Sequence, residues 1–238
     1  MYDKDLYNAI WRRTSVRKYL DKRIEDKKID ILEKSISELN ETSGLTMEFV
    51  ENFDSFKSIL TINFKNVRSA IVVKGKTNDP DLKEKCGYYG ERIVLEATYH
   101  GLGTCWVAGF NKKSTSLNAK DDETVVCVIS IGYGEEGMGI STKVPNAPHR
   151  KTRSISEFLG GDKNAPEWIE SAMKAVQFAP TAMNSQKARF SYADGKLSIQ
   201  IPDGNLTMVD LGITKLHFEL AAGGKFPIGS PSQFVKGP

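Results

Sequence analysis

Seven residues near the N-terminus, Arg13-Thr14-Ser15-Val16-Arg17-Lys18-Tyr19, place two guanidiniums, an ammonium and two aliphatic hydroxyls in one short run. Planar guanidinium forks and hydroxyl donors are the groups that grip a phosphate. Far downstream, Ala179-Pro180-Thr181-Ala182-Met183-Asn184-Ser185-Gln186 joins a proline turn to hydroxyl and amide side chains, a set that offers donors and acceptors to a planar heterocycle. Each run also has an ordinary reading. The first could be a solvated basic helix end, and the second an asparagine-bearing turn after a helix.

The 238 residues are 39% hydrophobic and 26% charged, enough apolar side chain for one large core or two small ones. No apolar run reaches the roughly 20 residues that span a bilayer. Met1 is followed by Tyr-Asp-Lys-Asp rather than by a basic and then apolar leader, so the chain is expected in the cytoplasm with no membrane partner. A formal charge of +3 is too small to imply nucleic-acid binding, although residues 12–23 carry six basic side chains against the single acid Asp21. Cys86, Cys105 and Cys127 are odd in number without Cys-x-x-Cys spacing, and His100, His149 and His217 are scattered; neither a disulfide framework nor a metal site is expected.

The elements that must position these groups can be read from periodicity. Helices are expected over 3–11, 24–39 and 81–100, the last ending at Gly101, with strands over 45–50, 70–73 and 125–131. After Pro145, Pro148 and Gly160-Gly161 the order restarts: a helix over 166–178, strands over 188–193 and 196–201 around Asp194-Gly195, and a helix over 209–222. Gly87 with Leu95 and Ala97 matches Gly212 with Leu220 and Ala222. Leu32-Glu33 with Ile36 likewise matches Ile169-Glu170 with Met173. These matches suggest an internal duplication, with a complete half over 1–160 and a shortened half over 161–238 that lacks a counterpart of the 125–134 strand. Each half would then play one member of a symmetric pair, with a ligand between them.

Taken in chain order, the motifs resemble those of the nitroreductase-like FMN-dependent oxidoreductases, in particular single-chain fused members. Arg13-Thr14-Ser15-Val16-Arg17 is similar to the family's Arg-x-Ser-x-Arg/Lys motif, which implies Arg13 at the FMN phosphate and Ser15 and Arg17 near the ribityl chain and pyrimidine edge. Gly101-Leu-Gly-Thr-Cys-Trp106-Val107-Ala108-Gly109 resembles Gly-Leu-Gly-x-x-Trp, which implies the Ala108 and Gly109 backbone beside flavin N5. Lys151 and Arg153 resemble a basic pair that completes the phosphate grip. Pro180, Thr181, Ala182, Asn184 and Gln186 follow the family's Pro-Ser-Ser-x-Asn-x-Gln, with Lys187-Ala188 in place of its usual Pro-Trp. The resemblance implies an α+β fold of two related lobes, helices on mainly antiparallel sheets, and a monomer acting as an internal pseudo-dimer. It implies an FMN-dependent oxidoreductase that passes electrons from NAD(P)H through flavin N5 to a nitroaromatic, quinone or similar small-molecule acceptor by ping-pong turnover. No catalytic side chain is then needed, because the cofactor carries the hydride. A flavin-binding protein without turnover is the alternative, and a basic protein binding anionic polymers is a third reading.

Overall fold

A computed structural model of the chain describes residues 2–54, 63–135, 151–162 and 164–237. Two mixed layers of helix and sheet lie on either side of a central helix pair. The first half begins with α1 (Asp3–Ile10) and α2 (Asp26–Ser43), which bury Leu6, Ala9 and Ile10 and Ile29, Leu32 and Ile36 respectively, the apolar stripes expected from helical spacing. Its sheet runs β1 (Glu48–Glu51), β2 (Ser69–Lys76), β4 (Glu123–Gly132), β3 (Gly103–Val107), antiparallel throughout. Seven of the eight residues of β2 are buried, because both faces of the sheet are covered. Ile71, Val73, Ile129 and Ile131 pack toward α2 and α3 (Leu82–Tyr99), while Ala70, Val72 and Val128 meet Phe53, Phe110 and Leu117 on the other side.

The rest of the chain carries α4 (Ile155–Phe158), β5 (Leu159–Gly161), α5 (Glu167–Val176), β6 (Arg189–Ala193), β7 (Lys196–Gln200) and α6 (Thr207–Ala222), and the expected boundary after residue 160 falls inside β5, which pairs with β6. Two-residue strands follow: β8 (Gly224–Lys225), β9 (Ser232–Gln233) and β10 (Val235–Lys236). The second sheet has the order β5-β6-β7-β9, with only the β5–β6 pair parallel. It closes over Phe190, Phe218, Phe226 and Phe234. The strands β8 and β10 pair antiparallel as a separate ribbon, so the fold is α+β with two four-stranded sheets dominated by antiparallel pairing. The boundary signals Pro145 and Pro148 lie outside the described residues.

α3 and α6 cross at a pair of glycines. A methyl group on Gly87 would sit 2.1 Å from the Val209 carbonyl oxygen, and one on Gly212 would sit 2.1 Å from the Glu84 carbonyl oxygen. The contacts are reciprocal, each glycine meeting the residue three positions before the other. Buried polar pairs secure the crossing: Lys215 Nζ lies 2.5 Å from Glu84 Oε1, and His217 Nε2 lies 3.0 Å from Glu91 Oε1. Leu6, Ile10, Leu95, Ala175, Phe178 and Leu216 form an apolar cluster that ties α1, α3, α5 and α6 together.

Two local expectations change. The basic run after α1 is not a helix end: Val16 N–H donates to the Thr104 carbonyl at 2.8 Å and Tyr19 N–H to the Lys65 carbonyl at 3.0 Å, so the run is extended, bridged to β3 at Ser15 and to Lys65 and Gly134 at Lys18 and Tyr19. The expected helix stop is present, α3 ending at Tyr99 with Gly101 at φ 77°, but the strand β3 that follows it has no counterpart in the sequence expectations. Gly103 permits it, since a Cβ there would come within 2.7 Å of Val16 Cγ2.

Candidate functional site

A cavity of about 520 Å³ lies between the halves. Its first wall is the extended run, through Thr14, Ser15 and Arg17. The second is β3 and its exit, through Cys105, Trp106, Val107 and Ala108, backed by Cys127 of β4. The third is the turn of Pro180, Thr181, Ala182, Met183 and Asn184, and the fourth is the start of α6, with Leu206, Val209, Asp210 and Ile213. The structure therefore brings together Ser15, Arg17, Trp106, Val107, Ala108, Pro180, Thr181, Ala182 and Asn184, nine of the residues singled out from sequence. Arg13, Gly109, Lys151, Arg153 and Gln186 are not among the described residues that line it.

Arg13 lies in the layer behind, 2% exposed, with Nη2 donating to the Phe178 carbonyl at 3.5 Å and Nε 3.8 Å from Glu91 Oε1. Burial lowers its proton affinity and Glu91 opposes that shift. Glu91 also accepts a 2.8 Å hydrogen bond from Trp106 Nε1, so one buried carboxylate gathers Arg13, His217 and the indole of a cavity-wall residue. This anchorage fixes Trp106 against α3.

The turn is held in an unusual shape. Met183, Asn184 and Gln186 have φ of 53°, 55° and 49°, a left-handed conformation that non-glycine residues adopt at a cost of about 1–2 kcal/mol each. Hydrogen bonds impose it. Gln186 N–H donates to Thr181 Oγ1 at 3.1 Å, and Ala182 N–H donates to Asp210 Oδ1 at 2.8 Å. The amides of Asn184 and Gln186 turn toward the 151–153 segment: both donate to the Lys151 carbonyl, and Gln186 Oε1 accepts from Arg153 N–H at 2.8 Å. Lys151 is exposed and Arg153 half-buried, with Nη1 3.8 Å from Glu157 Oε1. The two segments thus meet through the loop amides.

Asp210 escapes sequence reasoning, as do Cys105 and Cys127. An acid in the first turn of a helix reads as a partner of the helix dipole, and nothing local shows that it is 3% exposed and faces a cavity. Burial pushes its pKa up to about 6, opposed by the Ala182 N–H and the Ser185 hydroxyl. Burial likewise pushes the Cys127 thiol up to about 12 and raises Cys105. Neither thiol is a nucleophile at neutral pH. Among the described residues, Thr14 Oγ1 and Arg13 Nε are buried without a hydrogen-bond partner, so this corner has polar capacity left for a ligand. No group of acids, cysteines and histidines among the described residues is placed to hold a metal, and no helix there is long and apolar enough to cross a membrane.

A family model described as "Putative TM nitroreductase" matches residues 5–222. A crystal structure of a "putative nitroreductase" from Thermotoga maritima is 25% identical and superposes with a TM-score of 0.64, covering 98% of this chain and 94% of that one. An FMN-dependent nitroreductase from Clostridium difficile is 23% identical over 57% of this chain and 91% of its own, with a TM-score of 0.47. A "putative nitroreductase" from Desulfovibrio desulfuricans, in complex with FMN, is 16% identical over 64% of this chain and 93% of its own, with a TM-score of 0.48. No curated protein matches the sequence.

Proposed function

The chain belongs to the nitroreductase family, and we propose that it is a flavin oxidoreductase: it holds FMN in the cavity between its halves and passes electrons from NAD(P)H to a nitroaromatic, quinone or similar acceptor by ping-pong turnover. One observation carries this reading. Three stretches remote in sequence, around Arg17, Trp106 and Thr181, converge on one cavity, and they are the stretches whose residue types suit a phosphorylated heterocycle.

The donor set fits the cofactor. Ser15 and Arg17 are assigned to the ribityl chain and pyrimidine edge, where a cation stabilises an anionic reduced ring. Trp106 and Val107 bring the backbone to the cavity, and Ala108 and Gly109, just past the last paired residue of β3, are assigned to N5. Pro180, Thr181, Ala182 and Asn184 form the opposite wall, braced from behind by Gln186. Arg13, whose Nε makes no hydrogen bond, and the Lys151 and Arg153 side chains are assigned to the phosphate. Bound there, FMN supplies the hydride chemistry, and the chain supplies position, charge and exclusion of water. We read the chain as an internal pair, 1–160 with 161–238, working as a monomer in the cytoplasm. The reciprocal Gly87 and Gly212 contacts support that reading.

Purified protein should be yellow, release FMN on denaturation, and oxidise NADH or NADPH when menadione or nitrofurazone is present. Colourless protein that takes up no added FMN would sink the reading. Yellow protein without turnover would leave a flavin-binding protein. Arg17→Ala should weaken FMN binding about 10- to 100-fold, the loss of one charge-assisted hydrogen bond of roughly 1.5–3 kcal/mol. Titration of the apoprotein measures it.

A further inference from the structure

Asp210 belongs to the helix opposite the turn, yet it is the residue through which that turn is held. Its Oδ1 accepts from Ala182 N–H at 2.8 Å and its Oδ2 takes the longer 3.5 Å contact from Ser185 Oγ. The residues between and beside these two contacts, Met183, Asn184 and Gln186, are the ones in left-handed conformation, and Met183 is fully exposed. Apolar packing therefore does not hold the tip of the turn. Hydrogen bonds do, and the bond to a carboxylate is the charge-assisted one, roughly twice as strong as its neutral equivalent.

We propose that Asp210 is a positioning residue whose ionised carboxylate keeps the 181–186 wall in its ligand-binding shape, so that protonation of this one side chain loosens the wall and lowers the affinity of the cavity for a flavin. The inference rests on the flavin reading above and goes beyond it by coupling occupancy to pH. Among the described lining residues Asp210 is the only carboxylate, as Arg17 is the only cation. The groups that face it leave it as the one titrating near neutrality. Cys127 on β4 and Cys105 on β3 are pushed upward by burial, Cys127 to about 12. The Lys187 side chain opposes the Asp210 shift through its charge, and the Glu84–Lys215 pair lies closed between α3 and α6. By linkage, a ligand that needs the ionised form displaces the Asp210 proton when it binds.

The test uses riboflavin, whose lack of a phosphate removes the cofactor's own titration. Its dissociation constant should rise about tenfold between pH 7.5 and pH 5 in the parent protein. In Asp210→Asn the constant should be nearly independent of pH and close to the parent's acid value, and Asp210→Glu should restore part of the slope. In ligand-free protein the Ala182 amide resonance should titrate with a midpoint near 6 and lose that titration in Asp210→Asn. A parent affinity flat with pH, or the same slope in Asp210→Asn, overturns the proposal. If riboflavin and FMN both fail to bind at any pH, the flavin reading falls. The Ala182 titration then decides the positioning role alone: its presence supports Asp210 as the holder of the turn, and its absence overturns that.

Discussion

The Gln186 side chain makes four hydrogen bonds, accepting from Arg153 N–H and Thr152 Oγ1 and donating to the Lys151 carbonyl and Asn184 Oδ1, and none of them points into the cavity. Its residue type and position in the motif are legible in the sequence. Its partners are not, because they depend on a segment more than thirty residues away that folds back beside it. Asp210 shows the converse, a residue whose type carries no local signal and whose carboxyl pKa is pushed upward by burial. Its folded pKa is raised from 3.8 to about 6, so the folded state binds its proton more tightly than the unfolded state. Stability from this group is therefore fully present below pH 4 and lost as pH rises toward 6 and beyond. Asp210→Asn removes the ionisation and keeps an acceptor for Ala182 N–H. The ligand-free variant should match the parent near pH 4 and exceed it at pH 7 by on the order of 3 kcal/mol, since each tenfold change in proton affinity is worth about 1.4 kcal/mol. Urea unfolding at the two pH values checks the sign. A variant less stable than the parent at pH 7 would show that the charge-assisted bond outweighs the burial penalty.

At the scale of elements, the helices α1, α2, α3, α5 and α6 and the apolar strands β2 and β4 follow from periodicity, since each is long enough to display its apolar face and each lies within a few residues of its expected span, whereas the four-residue α4 is too short to show one. The short β3 is not legible locally, for a physical reason. Two of its five residues are a glycine and a threonine, and its stability comes from register against Gly132–Val128 and from Val16 packed on Gly103, neither visible in the strand itself. The α3–α6 crossing is readable only through the matched glycine spacing, which the structure turns into a contact between backbones. Gly87→Ala and Gly212→Ala each place a methyl group against a carbonyl oxygen that cannot yield without moving a helix. Each should cost at least about 1–3 kcal/mol, despite the roughly 1 kcal/mol that alanine gains over glycine within a helix. Separating the helices once relieves both clashes, so the double variant should cost less than the sum of the singles. Denaturant titration of the four proteins measures the coupling. Strict additivity would mean that the two glycines do not share one crossing.

For the whole molecule the consequence is that no half contains the cavity. Residues 1–160 hold Ser15, Arg17 and Trp106 to Ala108, but the turn at 180–184 and the Val209, Asp210 and Ile213 face of α6 come from the remainder. Removing the second half also takes Phe178 and Leu216 out of the cluster that seats α1, and it exposes the Gly87 face of α3. A contiguous apolar surface of that kind promotes association. The 161–238 fragment keeps β6, β7 and β9 and the aromatic cluster but loses most of β5, and at about 78 residues it is small for a free-standing core. The 1–160 fragment should therefore be poorly soluble and should retain no FMN, whereas the intact chain retains it. The Asn184→Ala variant of the intact chain separates loop shape from loop presence. It removes the 2.8 Å bond to the Lys151 carbonyl and the acceptor of Gln186 Nε2 while leaving the other lining residues unchanged, so FMN affinity should fall by on the order of 1–3 kcal/mol rather than vanish. Flavin fluorescence titration of the three proteins ranks them. Full FMN retention by the 1–160 fragment, with Asn184→Ala indistinguishable from the parent, would place the cofactor in the first half alone and remove the need for a site shared between halves.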